Sequence, residues 1–130
     1  MAKKKLILDT NFLMVPGQFM IDVFSEIERL LEEPYELCFI DRSKEELNKL
    51  VSYGNEKERF AAKLALVLII QKNLKSLPSS KEERSVDDSI VKYADRDSII
   101  ATQDKLLRER VKAKGAETIG LRQKKYLVVI

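Results

Sequence analysis

KLILDTNFLM (residues 5–14) begins as a short, nearly continuous apolar run that stops at a carboxylate, Asp9. An apolar run of this kind is typical of a strand that is buried on both faces, as in a parallel sheet. An aspartate directly after such a strand either caps the next turn of helix or stands at the open edge of the sheet. Which interpretation applies to Asp9 depends on the residues in the rest of the sequence.

The composition is that of a globular domain with a densely charged surface, with 45% hydrophobic and 35% charged residues among 130. The formal net charge of +3 permits a nucleic-acid partner without requiring one, because clustering of charge matters more than its sum. We expect no signal peptide and no membrane segment, since Asp9 interrupts the first apolar run and LALVLII at 64–70 is too short. Residues 1–130 are therefore predicted to form a single domain in the cytoplasm.

The sequence contains no histidine and one cysteine, Cys38. The missing histidine excludes Ser-His-Asp and Cys-His catalysis and leaves any metal ion to carboxylates, carbonyls and water. Cys38 lies in the apolar run LCFI and is interpreted as a small core residue, and a lone thiol favours a reducing compartment. The chemistry has to be sought among the acidic residues.

Strand-like and helix-like segments alternate along most of the chain. Helical periodicity runs from Phe19 to Leu31 and over 43–51, 56–72, 87–94 and 104–114, with LALVLII as a buried helix segment and 77–85 as a polar loop. Short apolar runs typical of strands are KKLIL, ELCFI (36–40), SIIAT (98–102), ETIGL and YLVVI. This alternation predicts an α/β fold, a three-layer α/β/α sandwich with a mainly parallel central sheet.

Several carboxylates fall where these strands end or where the following helices begin. They are Asp9, Glu46, Asp87, Asp88 and Asp104. Ligands of open parallel sheets bind beyond the carboxyl ends of the strands, so acids at these positions converge if the edges face the same way.

Each of these acids also has a purely structural interpretation. Ser43 with Glu46, and Ser85 with Asp88, have the spacing of a capping box. Asp9 and Asp104 fit simple N-caps, because acids are common in first helical turns.

Carboxylates gathered at one edge of a sheet repel each other. Two unit charges about 4 Å apart cost roughly 1 kcal/mol in water and about 4 kcal/mol near a protein surface. An all-oxygen cluster suits Mg²⁺ or Mn²⁺, and such an ion activates water and neutralises charge on a phosphodiester. The residues favour nuclease chemistry, which needs no histidine.

LDTNFLM, EEL at 45–47, SVDDSIV and IIATQDKLL together resemble the motif series of the PIN-domain nucleases, in the same order and over nearly the whole chain. The similarity extends to archaeal VapC-type toxins and to the nuclease of small-subunit ribosomal RNA processing. The resemblance implies an α/β/α fold and a metal-dependent endoribonuclease for single-stranded RNA, often homodimeric. An antitoxin or a ribosome-assembly factor is the further partner that it implies.

The resemblance also assigns site residues by position. It implies that Asp9, Glu46, Asp88 and Asp104 hold Mg²⁺ or Mn²⁺ and orient the attacking water. Asp87 is an additional candidate ligand, because the family motif is a pair of aspartates and we favour the second. Asn11 and Thr102 would be polar supports, with a turn or strand-end hydrogen bond as the alternative.

An RNA substrate requires basic and stacking groups around the acidic edge. The basic candidates are Lys105, Arg108 and Lys112 on one helix face, and the cluster Arg122, Lys124 and Lys125 before the last strand. For the helix, an ordinary solvated face that pairs with Glu109 is the alternative. The apolar segment after the first motif forms either an exposed rim that stacks on bases or part of the core; its members are Phe12, Met14, Val15, Pro16 and Phe19.

Two other classes of function compete with the nuclease. A phosphoryl-acceptor enzyme would use Asp9 as nucleophile, but it usually needs a second acid two positions on, where this chain has Asn11. A non-catalytic PIN-like module would bind RNA or protein without cutting, and the full set of acids speaks against it.

Overall fold

The computed structural model describes residues 3–130 and places six strands in one sheet between two layers of helices. The strands are β1 (Lys4–Leu8), β2 (Tyr35–Ile40), β3 (Lys75–Leu77), β4 (Ser98–Ala101), β5 (Glu117–Arg122) and β6 (Tyr126–Val129). The helices are α1 (Thr10–Leu13), α2 (Val15–Phe19), α3 (Val23–Leu30), α4 (Arg42–Tyr53), α5 (Glu56–Gln71), α6 (Val86–Tyr93) and α7 (Lys105–Lys112). The predicted α/β/α sandwich is confirmed.

The order of the strands in the sheet is β3-β2-β1-β4-β5-β6, and only β6 runs antiparallel to its neighbour. From the central β1 the chain first builds β2 and β3 on one side and then crosses to β4 on the other. The carboxyl ends of β1 and β4 therefore flank the point where the strand order reverses, the place where open α/β sheets bind ligands.

The central strand β1 is buried on both faces, as its sequence predicts. Leu6 and Leu8 belong to one apolar cluster, with side chains from α1 to α5, whereas Ile7 belongs to a second cluster with α6 and α7. Alternate residues of a strand point to opposite faces, so each face of the sheet has its own core.

The segment after β1 forms two short helices, α1 and α2, and not the exposed base-stacking rim that was one of the two alternatives for it. Phe12, Met14, Val15 and Pro16 are buried in or between α1 and α2, and Phe19 is half-buried. The rim hypothesis is wrong because the chain turns straight back over the sheet after Asp9.

The helix expected from Phe19 begins later, at Val23. Met20 adopts a left-handed backbone with φ of 56°, which ends α2. The carboxylate of Asp22 then caps α3 by accepting hydrogen bonds from the backbone N–H groups of Phe24 and Ser25.

The three-residue strand β3 is an element that the sequence patterns do not predict.

The LALVLII segment of α5 is not fully buried, so that prediction is wrong. Ala65 and Ile69 are buried, but Val67 and Ile70 are 46% and 78% exposed. Seven consecutive apolar residues circle the helix, while α5 packs against the rest of the chain on one side only. Across residues 3–130, no helix is both long enough and apolar enough to cross a bilayer.

Candidate functional site

A cavity of about 510 Å³ opens at the carboxyl edge of the sheet. Carboxylates from four separate segments line it: Asp9 after β1, Glu46 on α4, Asp87 on α6 and Asp104 after β4. Asn11 also lines the cavity. The structure therefore brings acids from four segments together at one edge of the sheet, with Asp87 rather than Asp88 among them.

Asp9 is both a helix cap and a wall of this cavity, so the two interpretations of its position are compatible. Its Oδ1 accepts a hydrogen bond from the backbone N–H of Phe12 at 2.6 Å, which caps α1. Its Oδ2 accepts a hydrogen bond from the hydroxyl of Thr102. Only 5% of Asp9 is exposed, so both carboxylate oxygens are fixed in place.

Thr102 lies beneath the cavity and connects two of its acids. It is fully buried, and its hydroxyl oxygen accepts a hydrogen bond from the backbone N–H of Asp104 at 3.0 Å while the hydroxyl donates to Asp9. Asp104 is itself the N-cap of α7 and accepts hydrogen bonds from the N–H groups of Leu106 and Leu107. Thr102 therefore has the position of a support.

Burial raises the pKa of Asp9 to about 6, although the hydrogen bonds from Thr102 and Phe12 lower it, and the nearby charges of Asp87 and Asp104 raise it further. The pKa of Asp87 is also raised, by burial first and then by the charge of Asp104. Ionisation of these carboxylates is therefore unfavourable without a cation, as is expected for a site that binds one.

This cost predicts a pH dependence of stability. Because the pKa of Asp9 is higher in the folded than in the unfolded chain, the folded metal-free protein binds the extra proton at low pH, and the free energy of unfolding falls as pH rises between about 4 and 6. The loss attributable to Asp9 is at most about 3 kcal/mol.

The measurement is thermal unfolding of the metal-free protein beside Asp9→Asn across this pH range. The difference in melting temperature between the variant and the wild type should widen as pH rises and level off above about pH 7. A constant difference would contradict the assignment of this shift to Asp9.

Glu46 is held by the hydroxyl group of Thr10 rather than by a capping box. The α4 helix begins at Arg42, two residues earlier than a Ser43 cap would require, and Asp41 is its N-cap. Ser43 is fully buried with its Oγ 2.8 Å from the Oγ1 of Thr10, and Thr10 donates a hydrogen bond to Glu46 Oε1. The capping-box interpretation of Ser43 with Glu46 is wrong.

Thr10 and Ser43 are thus site residues that the sequence reasoning missed. Thr10 lines the cavity and connects the first turn after Asp9 to α4. The sequence does carry a signal for them. Thr10 directly follows Asp9, and Ser43 lies three positions before Glu46, but Ser43 was interpreted as a helix cap.

Asp41 follows β2 as directly as Asp9 follows β1, yet it does not line the cavity. Its Oδ1 accepts hydrogen bonds from the N–H of Arg42 and from both the N–H and the hydroxyl of Ser79. This strand-end carboxylate joins α4 to the loop after β3.

The structure places the paired aspartates of α6 in different surroundings, although the sequence favours Asp88 as the ligand. Asp87 lines the cavity, whereas Asp88 accepts a hydrogen bond from the guanidinium of Arg110 at 3.0 Å and another from the N–H of Arg84. The bond from Arg110 lowers the pKa of Asp88. Consecutive helical residues are rotated by about 100°, and here this rotation directs Asp87 to the cavity and Asp88 to Arg110.

The basic residues predicted to bind RNA do not line this cavity. Lys105, Lys112, Arg122, Lys124 and Lys125 are exposed, and Arg108 is half-buried. Lys124 has its Nζ 5.7 Å from the centre of the Phe19 ring. The cation that does line the cavity is Lys49 of α4, which the sequence reasoning passed over.

The donor set fits a hard divalent cation. In the part of the chain that the structure describes, no three acidic or cysteine side chains close tightly enough to enclose a metal ion. Mg²⁺ does not require such a cage, because it keeps several waters and binds through one or two carboxylates. Carboxylate oxygens around an open cavity leave room for such a partly hydrated ion.

Comparison with known proteins agrees with this architecture, an α/β domain with an acidic cavity at the switch point of its sheet. The family of PIN-like domains matches residues 6–124, and the chain belongs to this family. The resemblance stated from the motifs is confirmed.

Individual relatives are similar over almost the whole chain. Ribonuclease VapC4 of Methanocaldococcus jannaschii is 34% identical over 129 residues, covering 96% of this chain and 95% of that protein. The structure of the PIN domain endonuclease Utp24 has a TM-score of 0.75 at 25% identity, covering 96% of this chain and 90% of that one. A domain of a functionally unknown protein from Methanocaldococcus jannaschii shares the fold, with a TM-score of 0.60 at 21% identity over 92% of this chain and 91% of that one.

Proposed function

We propose that this protein is an endoribonuclease that hydrolyses RNA phosphodiester bonds with Mg²⁺ or Mn²⁺. The observation that carries the proposal is the meeting of Asp9, Glu46, Asp87 and Asp104 around one cavity, with the pKa of Asp9 raised to about 6 by burial. The similarity to a ribonuclease and to a PIN domain endonuclease supports it.

In this proposal the cation binds among the four carboxylates, directly to one or two of them and through its waters to the others. The hydroxyl groups around these carboxylates fix their orientation. Thr102 holds Asp9, and Thr10, backed by Ser43, holds Glu46. When bound, the cation lowers the pKa of its water to supply the nucleophile and neutralises charge on the phosphodiester. Asn11, at the rim, is a further polar contact for the bound water or substrate.

The test is a cleavage assay on total RNA with Mn²⁺ or Mg²⁺, run against the same protein with a chelator. We expect discrete RNA fragments with the cation, none with the chelator, and recovery when Mn²⁺ is added back. Mn²⁺ should also raise the melting temperature, because a ligand that binds only the folded state stabilises it. RNA that is bound tightly and stays uncut with Mn²⁺ would instead indicate a non-catalytic binding module.

Two biological settings share this chemistry. The protein is either the toxin of a toxin–antitoxin pair or a processing factor for ribosomal RNA, and its partner is then an antitoxin or a ribosome-assembly factor. The motif resemblance to VapC-type toxins and to the nuclease of small-subunit ribosomal RNA processing supports either setting, and Ribonuclease VapC4 is a relative of the first group. A small antitoxin gene adjacent to this one would decide for the toxin.

We also propose that the protein forms a homodimer through the outward face of α5. Phe60, Val67 and Ile70 are exposed on one side of α5, which also carries the charged residues Glu56 and Lys63. A cluster of three large exposed apolar side chains stands out on a chain in which 35% of the residues are charged. A symmetric pair of helices can bury such a face against its copy.

This proposal predicts a dimer in sedimentation-velocity experiments and a monomer for Ile70→Glu. The melting temperature of the variant extrapolated to low protein concentration should be unchanged, since Ile70 is 78% exposed in the single chain. Val129→Glu, at another exposed apolar position, is the matched control and should remain dimeric. A wild-type protein that sediments as a monomer at all concentrations would refute the proposal.

A further inference from the structure

One face of α4 extends from the acidic cavity to an exposed aromatic ring. Glu46, Lys49 and Tyr53 are spaced i, i+3 and i+7 and so lie on the same side of the helix. Glu46 and Lys49 line the cavity, and Tyr53 ends the helix about 10 Å further along its axis than Glu46.

Tyr53 is unusual for an aromatic residue. It is 89% exposed, the largest value for any big apolar or aromatic side chain among the described residues. A ring with both faces in water contributes little to the fold, and such a ring beside a candidate nucleic-acid site is suited to stacking on a base.

Lys49 is placed to contact an anion in the cavity. Glu46, one turn before it, would be its natural ion-pair partner, but that carboxylate accepts a hydrogen bond from Thr10 instead. No salt bridge within residues 3–130 includes Lys49. Its ammonium group therefore brings positive charge to a cavity whose other charged residues are acids.

We infer that this face of α4 binds single-stranded RNA next to the bond that is cut, with Lys49 on a backbone phosphate and Tyr53 stacked on a base. The inference rests on the proposed function and adds two residues that contact the substrate, Lys49 and Tyr53. A base in a duplex is already stacked on both sides, so Tyr53 can engage only an unpaired base. The stacking contact thus favours single-stranded over double-stranded RNA.

The test measures binding of the full chain to a short fluorescein-labelled single-stranded RNA and to the same RNA annealed as a duplex. Fluorescence anisotropy is recorded with Ca²⁺ in place of Mn²⁺, and the RNA is checked for integrity afterwards. Tyr53→Ala should weaken single-strand binding by about 5- to 100-fold, leave duplex binding unchanged, and be rescued by Tyr53→Phe. Lys49→Ala should make the slope of log affinity against log salt shallower by about 0.7 for the single strand.

Two variants away from this face serve as matched controls. Val129→Ala removes exposed apolar surface on β6, and Lys5→Ala removes an exposed charge at the amino-terminal end of β1, opposite the cavity. Both should bind the single strand like the wild type.

The inference is overturned if Tyr53→Ala weakens single-strand and duplex binding equally, or no more than Val129→Ala does. It is also overturned if Lys49→Ala keeps the salt slope of the wild type, which would make Lys49 only a counter-charge for the acids. Both failures leave the proposed function intact as long as the wild type cuts RNA with Mn²⁺. A wild type that neither binds nor cuts RNA would refute the proposed function itself.

Discussion

Asp9→Asn is expected to reduce RNA cleavage by at least roughly 10²–10³-fold, the loss typical of removing one fixed electrostatic contact from an active site. The same substitution should raise the melting temperature of the metal-free protein. The carboxylate is 5% exposed, and its pKa is raised to about 6 by burial, so at neutral pH the folded state carries a buried charge that it does not favour.

The fold should tolerate this substitution because asparagine is as good an N-cap as aspartate. Its side-chain oxygen can still accept the hydrogen bond that Asp9 now accepts from the N–H of Phe12. The expected gain in the free energy of unfolding is at most about 3 kcal/mol near pH 7. Thermal unfolding without metal and cleavage with Mn²⁺, measured on the same preparation, separate the two effects.

Asp41→Asn is the matched control, since Asp41 also follows a strand directly. Its carboxylate is engaged by Arg42 and Ser79, which donate to it, and these bonds lower its pKa against the raising effect of burial. Neutralising Asp41 should therefore lower stability by about 1 kcal/mol and leave cleavage at permissive temperature unchanged. If Asp9→Asn unfolds the protein or lowers its melting temperature, Asp9 is a structural residue and the proposed site fails.

The parallel sheet and the edge that carries the acids were predictable from residue patterns. The apolar runs around Leu6, Phe39 and Ile99 mark strands buried on both faces, and the geometry of parallel strands then brings the residues after them to one edge. By contrast, α1 and α2 have four and five residues, too few to produce a helical periodicity that could be recognised.

The supports of the site were not predictable from spacing alone. Ser43 and Glu46 fit a capping box equally well, and only the start of α4 at Arg42 shows that Ser43 faces Thr10. Lys49 lies on the same side of α4 as Glu46, but its place in the cavity follows only from the orientation of α4 in the structure. Local patterns describe one helix, whereas a site depends on how that helix is rotated against the others.

The same rotation decides between the paired aspartates of α6, and it gives the second large prediction. Asp87→Asn should lower cleavage by roughly 10²-fold and reduce the rise in melting temperature that Mn²⁺ causes, because Asp87 lines the cavity. Asp88→Asn should keep cleavage within about threefold of the wild type, since its carboxylate pairs with Arg110 outside the cavity.

The two variants are chemically identical and one position apart, so each is the control for the other. Asp88→Asn should cost at most about 1 kcal/mol of stability, the value of a partly exposed ion pair. Asp87→Asn should not lower stability, because burial and the charge of Asp104 already disfavour its ionised form. Were Asp88→Asn the inactive variant and Asp87→Asn the active one, the first turn of α6 would have to be rotated by one residue when substrate is bound. The pair of Asp87→Asn and Asp88→Asn therefore tests the placement of α6 itself, independently of whether Asp9 holds the cation.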